Sequence, residues 1–269
     1  MKALSMNPPS KVLPDIPYSN LYDRNYKSLI YSAEDSYWND SYGQKMDSCD
    51  NAKIIVLGLP KSGNTFLVSL ISSALSLDII DPIRQIGRRG VGMSHRPFSP
   101  HLDREDFLHG VVIIRDIRDM VASFYEYSQT KNFREARLEF QATSIDEFYF
   151  EWFLSKINSK LDVLNYADTY ANMGLAVMKY ERLISSPEIE LRKLLLTFGI
   201  EVCDEKIQLA IEKNSFKKLK DNGLVFGDKF IPPTHFKRGH TERYKTILTE
   251  KVIKDIESRF NPYFLRWGY

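Results

Sequence analysis

The chain has 269 residues, 27% of them charged and nearly balanced, for a formal charge of +2. That length can bury a full core, and the balance excludes a general nucleic-acid binder held by phosphate contacts. No apolar run approaches the roughly 20 residues of a membrane helix, and the N-terminal MKALSMNPPSKVLPDIPYSN lacks the apolar centre of a signal peptide. With only two cysteines, Cys49 and Cys203, the expectation is a cytoplasmic protein in a reducing compartment.

In chain order, residues 1–50 cluster Tyr and polar residues without periodicity, and are expected to pack as an N-terminal segment on one domain of residues 51–269. Residues 53–58 and VVIIR at 111–115 are short, rich in Val and Ile and do not alternate, which predicts strands buried on both faces. GLAVMKY at 174–180 is a weaker strand of the same kind. The first strand leads into a helical pattern with Ser69, Ser72, Ser73 and Ser76 on one face and Phe66, Leu67, Leu70, Ile71, Ala74 and Leu75 on the other. A further helix is punctuated by Ser186 as N-cap, Pro187 in the first turn and Gly199 as the stop. Two more are predicted at 204–213 and 249–260, the last turning Val252, Ile253, Ile256 and Phe260 inward. Strands alternating with helices predict an α/β fold, a single domain with a central parallel sheet flanked by helices. Ligands of such sheets bind at the carboxyl ends of the strands. That rule puts the 59–65 turn, Arg115 and Tyr180 along one edge.

The turn itself, GLPKSGNTF at 58–66, ends a buried strand in glycine, lysine and serine and opens a helix. Backbone amides of such a turn, at the positive end of a helix, suit a phosphate. The order differs from the nucleotide-triphosphate loop, where Gly-Lys is followed at once by the magnesium-binding hydroxyl; here Lys61 precedes Gly63. A P-loop kinase would need that hydroxyl, whereas a non-catalytic nucleotide-binding module could dispense with the lysine. Residues 217–245 add eight Lys/Arg against three Asp/Glu, a local patch fit for a small anion.

Four stretches in order, GLPKSGNTF, IIRDIRDMVASFYEY (113–127), YERLISSPEIELRKLLLTFGI (180–200) and NSFKKLK with FKRGHTERYKT (214–246), resemble the sulfotransferases that use 3′-phosphoadenosine 5′-phosphosulfate, PAPS. The resemblance implies in-line sulfuryl transfer to a hydroxyl, with no metal, and a P-loop-like phosphosulfate turn formed by Lys61, Ser62, Gly63, Asn64, Thr65 and Phe66. It implies that Lys61 meets the charge growing on the leaving oxygen. Arg115 and Ser123 would hold the 3′-phosphate, with Lys237, Arg238 and Gly239 as the C-terminal basic loop; the order here is Lys-Arg where the family more often has Arg-Lys. Phe66 replaces the family's usual tryptophan near adenine, Phe216 matches the second aromatic, and Tyr180 the adenine-side tyrosine. GMSHRP at 92–97 resembles the family's Lys-Thr-His-Leu-Pro strand end, which makes His95 the general base. Met93 stands where the family has lysine, so a charge beside the base would come from Arg88, Arg89 or Arg96; Glu126 and Asp103 are the alternative bases. Arg118 is expected at the surface.

The acceptor pocket is expected between 81–110, 128–170 and 222–236, whose aromatics (Phe133, Phe140, Phe148, Tyr149, Phe150, Trp152, Phe153) suggest a phenol, alcohol or lipid, with a glycan also open. KTILTEKVIKDIE at 245–257 carries no clear form of the family's dimer motif, so oligomeric state is not read.

Overall fold

The apolar KIIVL of β1 (Lys53–Leu57) takes the centre of the sheet, because four of its five residues are buried and a strand covered on both faces needs that continuity. The computed structural model describes residues 53–80, 88–95, 109–136, 142–226, 229–231, 239 and 241–269; the expected N-terminal segment 1–50 lies outside them. α1 (Asn64–Leu75) returns the chain to β2 (Ile79–Ile80) and β3 (Gly90–Ser94), and β4 (His109–Ile114) pairs on the other side of β1. α2 (Ile117–Ser128) follows β4, and β5 (Ala176–Lys179) closes the order β2-β3-β1-β4-β5. All four pairings are parallel. The predicted α/β sheet is therefore present, with five strands where the apolar pattern predicts three. β3, GVGMS, has two glycines in place of an apolar run, and β2 is two residues long.

Helices cover both faces. On one, α1 and the helices Pro187–Thr197 and Asp204–Lys213 bury Leu67, Leu70, Leu191, Leu194 and Ile207 against β1 and β4. On the other, α2 and the helices Glu250–Arg259 and Asn261–Trp267 bury Met120, Phe124, Val252, Ile256 and Trp267. Gly199 takes φ +69° just beyond the helix stop, as its position predicts. Thr249 caps the helix Glu250–Arg259 by accepting the Val252 amide at 3.3 Å. Ser69, expected on the polar face of α1, is buried and donates its hydroxyl to the Phe66 carbonyl at 2.8 Å.

The second face also contains Phe148–Asn158 as a π-helix. Its aromatics, expected beside the acceptor, pack among the described residues as core. Phe148, Tyr149 and Phe153 are fully buried, and Phe124, Phe133, Phe148 and Trp152 pack edge-on and stacked into one core cluster. Phe150 is half-buried beneath the Lys251 ammonium, and Phe140 lies outside the described residues.

Candidate active site

Four strand ends meet at one edge. Leu57 of β1 pairs with Ser94 of β3 on one side and with Val112 of β4 on the other, so the chain leaves β1 at the point where the strand order reverses. Crevices at such a reversal are where open α/β sheets bind ligands.

The turn after β1 is closed by local bonds. The Ser62 amide donates to the Leu59 carbonyl at 3.2 Å, and the Asn64 side-chain amide donates to the same carbonyl at 2.9 Å. Lys61 adopts φ +71°, a left-handed conformation that costs a non-glycine residue about 1–2 kcal/mol and recurs at functional turns. Gly63 caps α1 at φ +101°; a Cβ there would meet the Tyr180 ring at 2.4 Å, so the position demands glycine twice over. No side chain caps α1 and no acid stands in its first turn, which leaves its leading amides to an anion. Thr65 is half-exposed there, whereas Ser62 is only 1% exposed and its hydroxyl points at Met120 Sδ, 3.8 Å away. Ser62 therefore shapes the turn with its side chain turned inward.

Three predicted residues converge on this turn. His95, just beyond β3, donates Nδ1–H to the Gly58 carbonyl at 2.7 Å. A carbonyl only accepts, so this bond fixes the tautomer and leaves Nε2 as a proton acceptor. Burial holds the imidazole below its ordinary 6.5; the Gly58 bond opposes that shift and the nearby Lys61 charge adds to it. Arg115, at the end of β4, donates Nη1–H to the Lys61 carbonyl at 3.0 Å, and its guanidinium lies 4.4 Å above the Tyr180 ring. The Lys61 ammonium lies 4.5 Å over the ring of Tyr127. Tyr127 is one helical turn past half-buried Ser123, so both belong to the face of α2 that looks onto the turn.

The two aromatics expected near adenine touch each other. Phe66 and Phe216 stack with centroids 5.0 Å apart and planes at 26°, forming one slab rather than two walls of a slot. Gly239, at φ +63°, lies against the Phe216 ring so closely that a Cβ would meet it at 2.4 Å. Lys237, Arg238, Arg96, Asp103, His101, His235 and His240 lie outside the described residues. His109 stands at the opposite, amino end of β4, stacked on Phe198 at 4.8 Å. Arg88 pairs with Asp78 at 3.0 Å in the open.

Several partners escape sequence reasoning. Asp119 is buried and receives the amides of Glu242 and Tyr244 at 2.7 and 3.0 Å. Burial pushes its carboxyl up, against the pull of those amides and of Arg115. Its only signal in the sequence is its place four residues after Arg115. Glu126, an alternative base, forms an ion pair with Arg243. Arg118, expected at the surface, is instead clasped by Asp116 at 2.7 Å and Glu257 at 2.7 Å and sits over the rings of Tyr244 and Phe264. Nothing within DIRDM signals those distant partners.

The sulfotransferase domain family matches residues 93–268 of the chain. Among curated proteins none matches its sequence. The fold is similar to mouse sulfotransferase SULT7A1 complexed with PAP, at 15% identity and TM-score 0.64, over 81% of this chain and 85% of that one. It is also similar to retinol dehydratase in complex with androsterone and inactive cofactor PAP, at 12% identity and TM-score 0.58, over 79% and 80%. A retinol dehydratase complex with retinol and PAP gives 15% identity and TM-score 0.58, over 80% and 81%.

Proposed function

The chain belongs to the sulfotransferase domain family, and from that premise we infer that it moves a sulfuryl group from PAPS to the hydroxyl of a small molecule, with Lys61 and His95 as its catalytic residues. The observation that carries this reading is the convergence of both side chains, with Arg115, on the single turn after β1. PAPS, when bound, supplies the sulfuryl group and departs as adenosine 3′,5′-bisphosphate.

The leading amides of α1, at Asn64, Thr65 and Phe66, suit the 5′-phosphate, because they are uncapped and stand at the positive end of the helix. Lys61 supplies a fixed positive charge beside them for the oxygen that takes up electrons as the sulfur bond breaks. His95 holds a free Nε2 in its neutral form, ready to take the proton of an attacking hydroxyl. Arg115 and Ser123, with Lys237, Arg238 and Gly239, complete the set for a 3′-phosphate, where charge-assisted bonds contribute most. The Phe66–Phe216 slab and Tyr180 offer apolar faces to a purine. The retinol and androsterone complexes of retinol dehydratase support an apolar alcohol or lipid as acceptor ahead of a glycan. The two cysteines support a cytoplasmic setting.

The test is incubation with PAPS and a panel of phenols, sterols, other alcohols and sugars, followed by mass spectrometry. The expected result is one added sulfuryl mass on at least one apolar hydroxyl compound, lost in Lys61→Ala. Absence of transfer across the panel, with donor binding intact, contradicts the catalytic reading.

A further inference from the structure

Asp119 is 2% exposed and lies one helical turn beyond Arg115. Each of its carboxylate oxygens accepts a backbone amide from one distant stretch, Glu242 on Oδ2 and Tyr244 on Oδ1. The Arg115 guanidinium stands 3.9 Å from Oδ2. Between the two held amides sits Arg243, whose side chain reaches back to Glu126 on the same helix. Glu242 is itself at φ +59°, a backbone conformation that glycine adopts freely and glutamate does not.

We propose that Asp119 is a positioning residue for donor binding: its two oxygens fix the strained Glu242–Tyr244 backbone that follows Gly239, and hold it in register with Arg115. The inference rests on the donor reading above. Asp119→Asn removes a negative charge beside Arg115, which by electrostatics alone would tighten binding of a phosphate. It also replaces one of two acceptor oxygens by an NH₂ group facing a backbone amide, leaving a buried donor without a partner. If position governs, affinity falls although the site becomes more positive.

The probe is adenosine 3′,5′-bisphosphate, titrated into the full chain, with amide hydrogen exchange measured on the same variants without ligand. Asp119→Asn should weaken the bisphosphate at least about tenfold, as expected for breaking a buried hydrogen-bonded charge. Exchange at Glu242 and Tyr244 should quicken by about tenfold or more while β1 and β4 amides keep their protection. Adding Glu242→Gly to Asp119→Asn should recover much of the lost affinity, because glycine takes the left-handed backbone unaided. Should Asp119→Asn not fold, Glu242→Gly is compared with Glu242→Gln, which loses the same charge but keeps the left-handed backbone cost, and glycine should bind about two- to fivefold more tightly than glutamine; no difference overturns the inference. Unchanged or tighter binding in Asp119→Asn, or unchanged exchange at 242 and 244, also overturns it. A wild-type chain that does not prefer the bisphosphate to AMP overturns the donor reading and this inference together; a preference that Asp119→Asn leaves undiminished overturns this inference alone.

Discussion

The turn at 58–66 and the segment formed by Gly239 and residues 241–247 lie near the same strand ends, but they are built differently. The turn is closed within its own chain, the Leu59 carbonyl accepting from Ser62 and Asn64, and His95 and Arg115 then tie its Gly58 and Lys61 carbonyls to the neighbouring strand ends. The later segment is held from afar, by Asp119, Arg118 and Glu126 of α2 and by the Phe216 ring, across more than 100 residues in the case of α2. On the proposed reading the difference is a division of labour: the part beside the breaking bond is closed largely by local bonds, and the part that would grip the donor's far end is assembled by tertiary contact.

Changes on the turn side should therefore strike rate. His95→Gln should lower turnover by about 10²–10⁴-fold, the range for losing a general base. Its pH signature follows from burial. On the proposed reading the neutral imidazole is the active form and protonation removes it; burial holds its pKa below 6.5, so wild-type turnover should hold as pH falls through 6.5 and decline only at lower pH. A rate that already halves at 6.5 or above, or a His95→Gln variant with the same pH profile, would assign the proton to another group. Lys61→Ala should cost about 10²–10³-fold in turnover with little change in donor affinity, as for removal of one preorganised charge. A main effect on affinity would blur the division.

On the far side, affinity should respond instead. Arg115→Ala should reduce the preference for the bisphosphate over AMP by about 10–100-fold, since a charge-assisted bond is worth about 1.5–3 kcal/mol; a loss shared equally by AMP would place Arg115 elsewhere. Arg243→Ala should be mildest. Its pair with Glu126 is about a quarter exposed on both sides, at 27% and 24%, and exposed pairs contribute about 0.2–1 kcal/mol. Equilibrium titration should show donor binding weakened by no more than about fivefold, with turnover unchanged.

The same contrast sets what the sequence makes legible. β1 and β4 are readable because strands covered on both faces need unbroken apolar runs, and the helices at 187–197 and 250–259 because Pro187, Gly199 and Thr249 mark their ends. β3 is not readable by pattern, since Gly90 and Gly92 remove the run that would mark it. Lys61, His95, Arg115 and Tyr180 stand at strand ends, where local motifs point. Asp119, Arg118 and Tyr127 are ordinary helix residues until the fold brings Glu242, Glu257 and Lys61 to them. The aromatics at 148–153 are hard to read for a related reason: composition cannot tell a ring that fills a core from one that faces a ligand, and the π-helix turns Phe148, Tyr149 and Phe153 inward.

The central claim is that the edge binds a donor carrying a phosphate at its 3′ end as well as its 5′ end. It is tested most directly by calorimetric titration of the wild-type chain with adenosine 3′,5′-bisphosphate and with AMP, in the absence of magnesium. With each charge-assisted bond to the second phosphate contributing about 1.5–3 kcal/mol, the bisphosphate should bind at least about a hundredfold more tightly. Equal affinity for the two nucleotides would contradict the account.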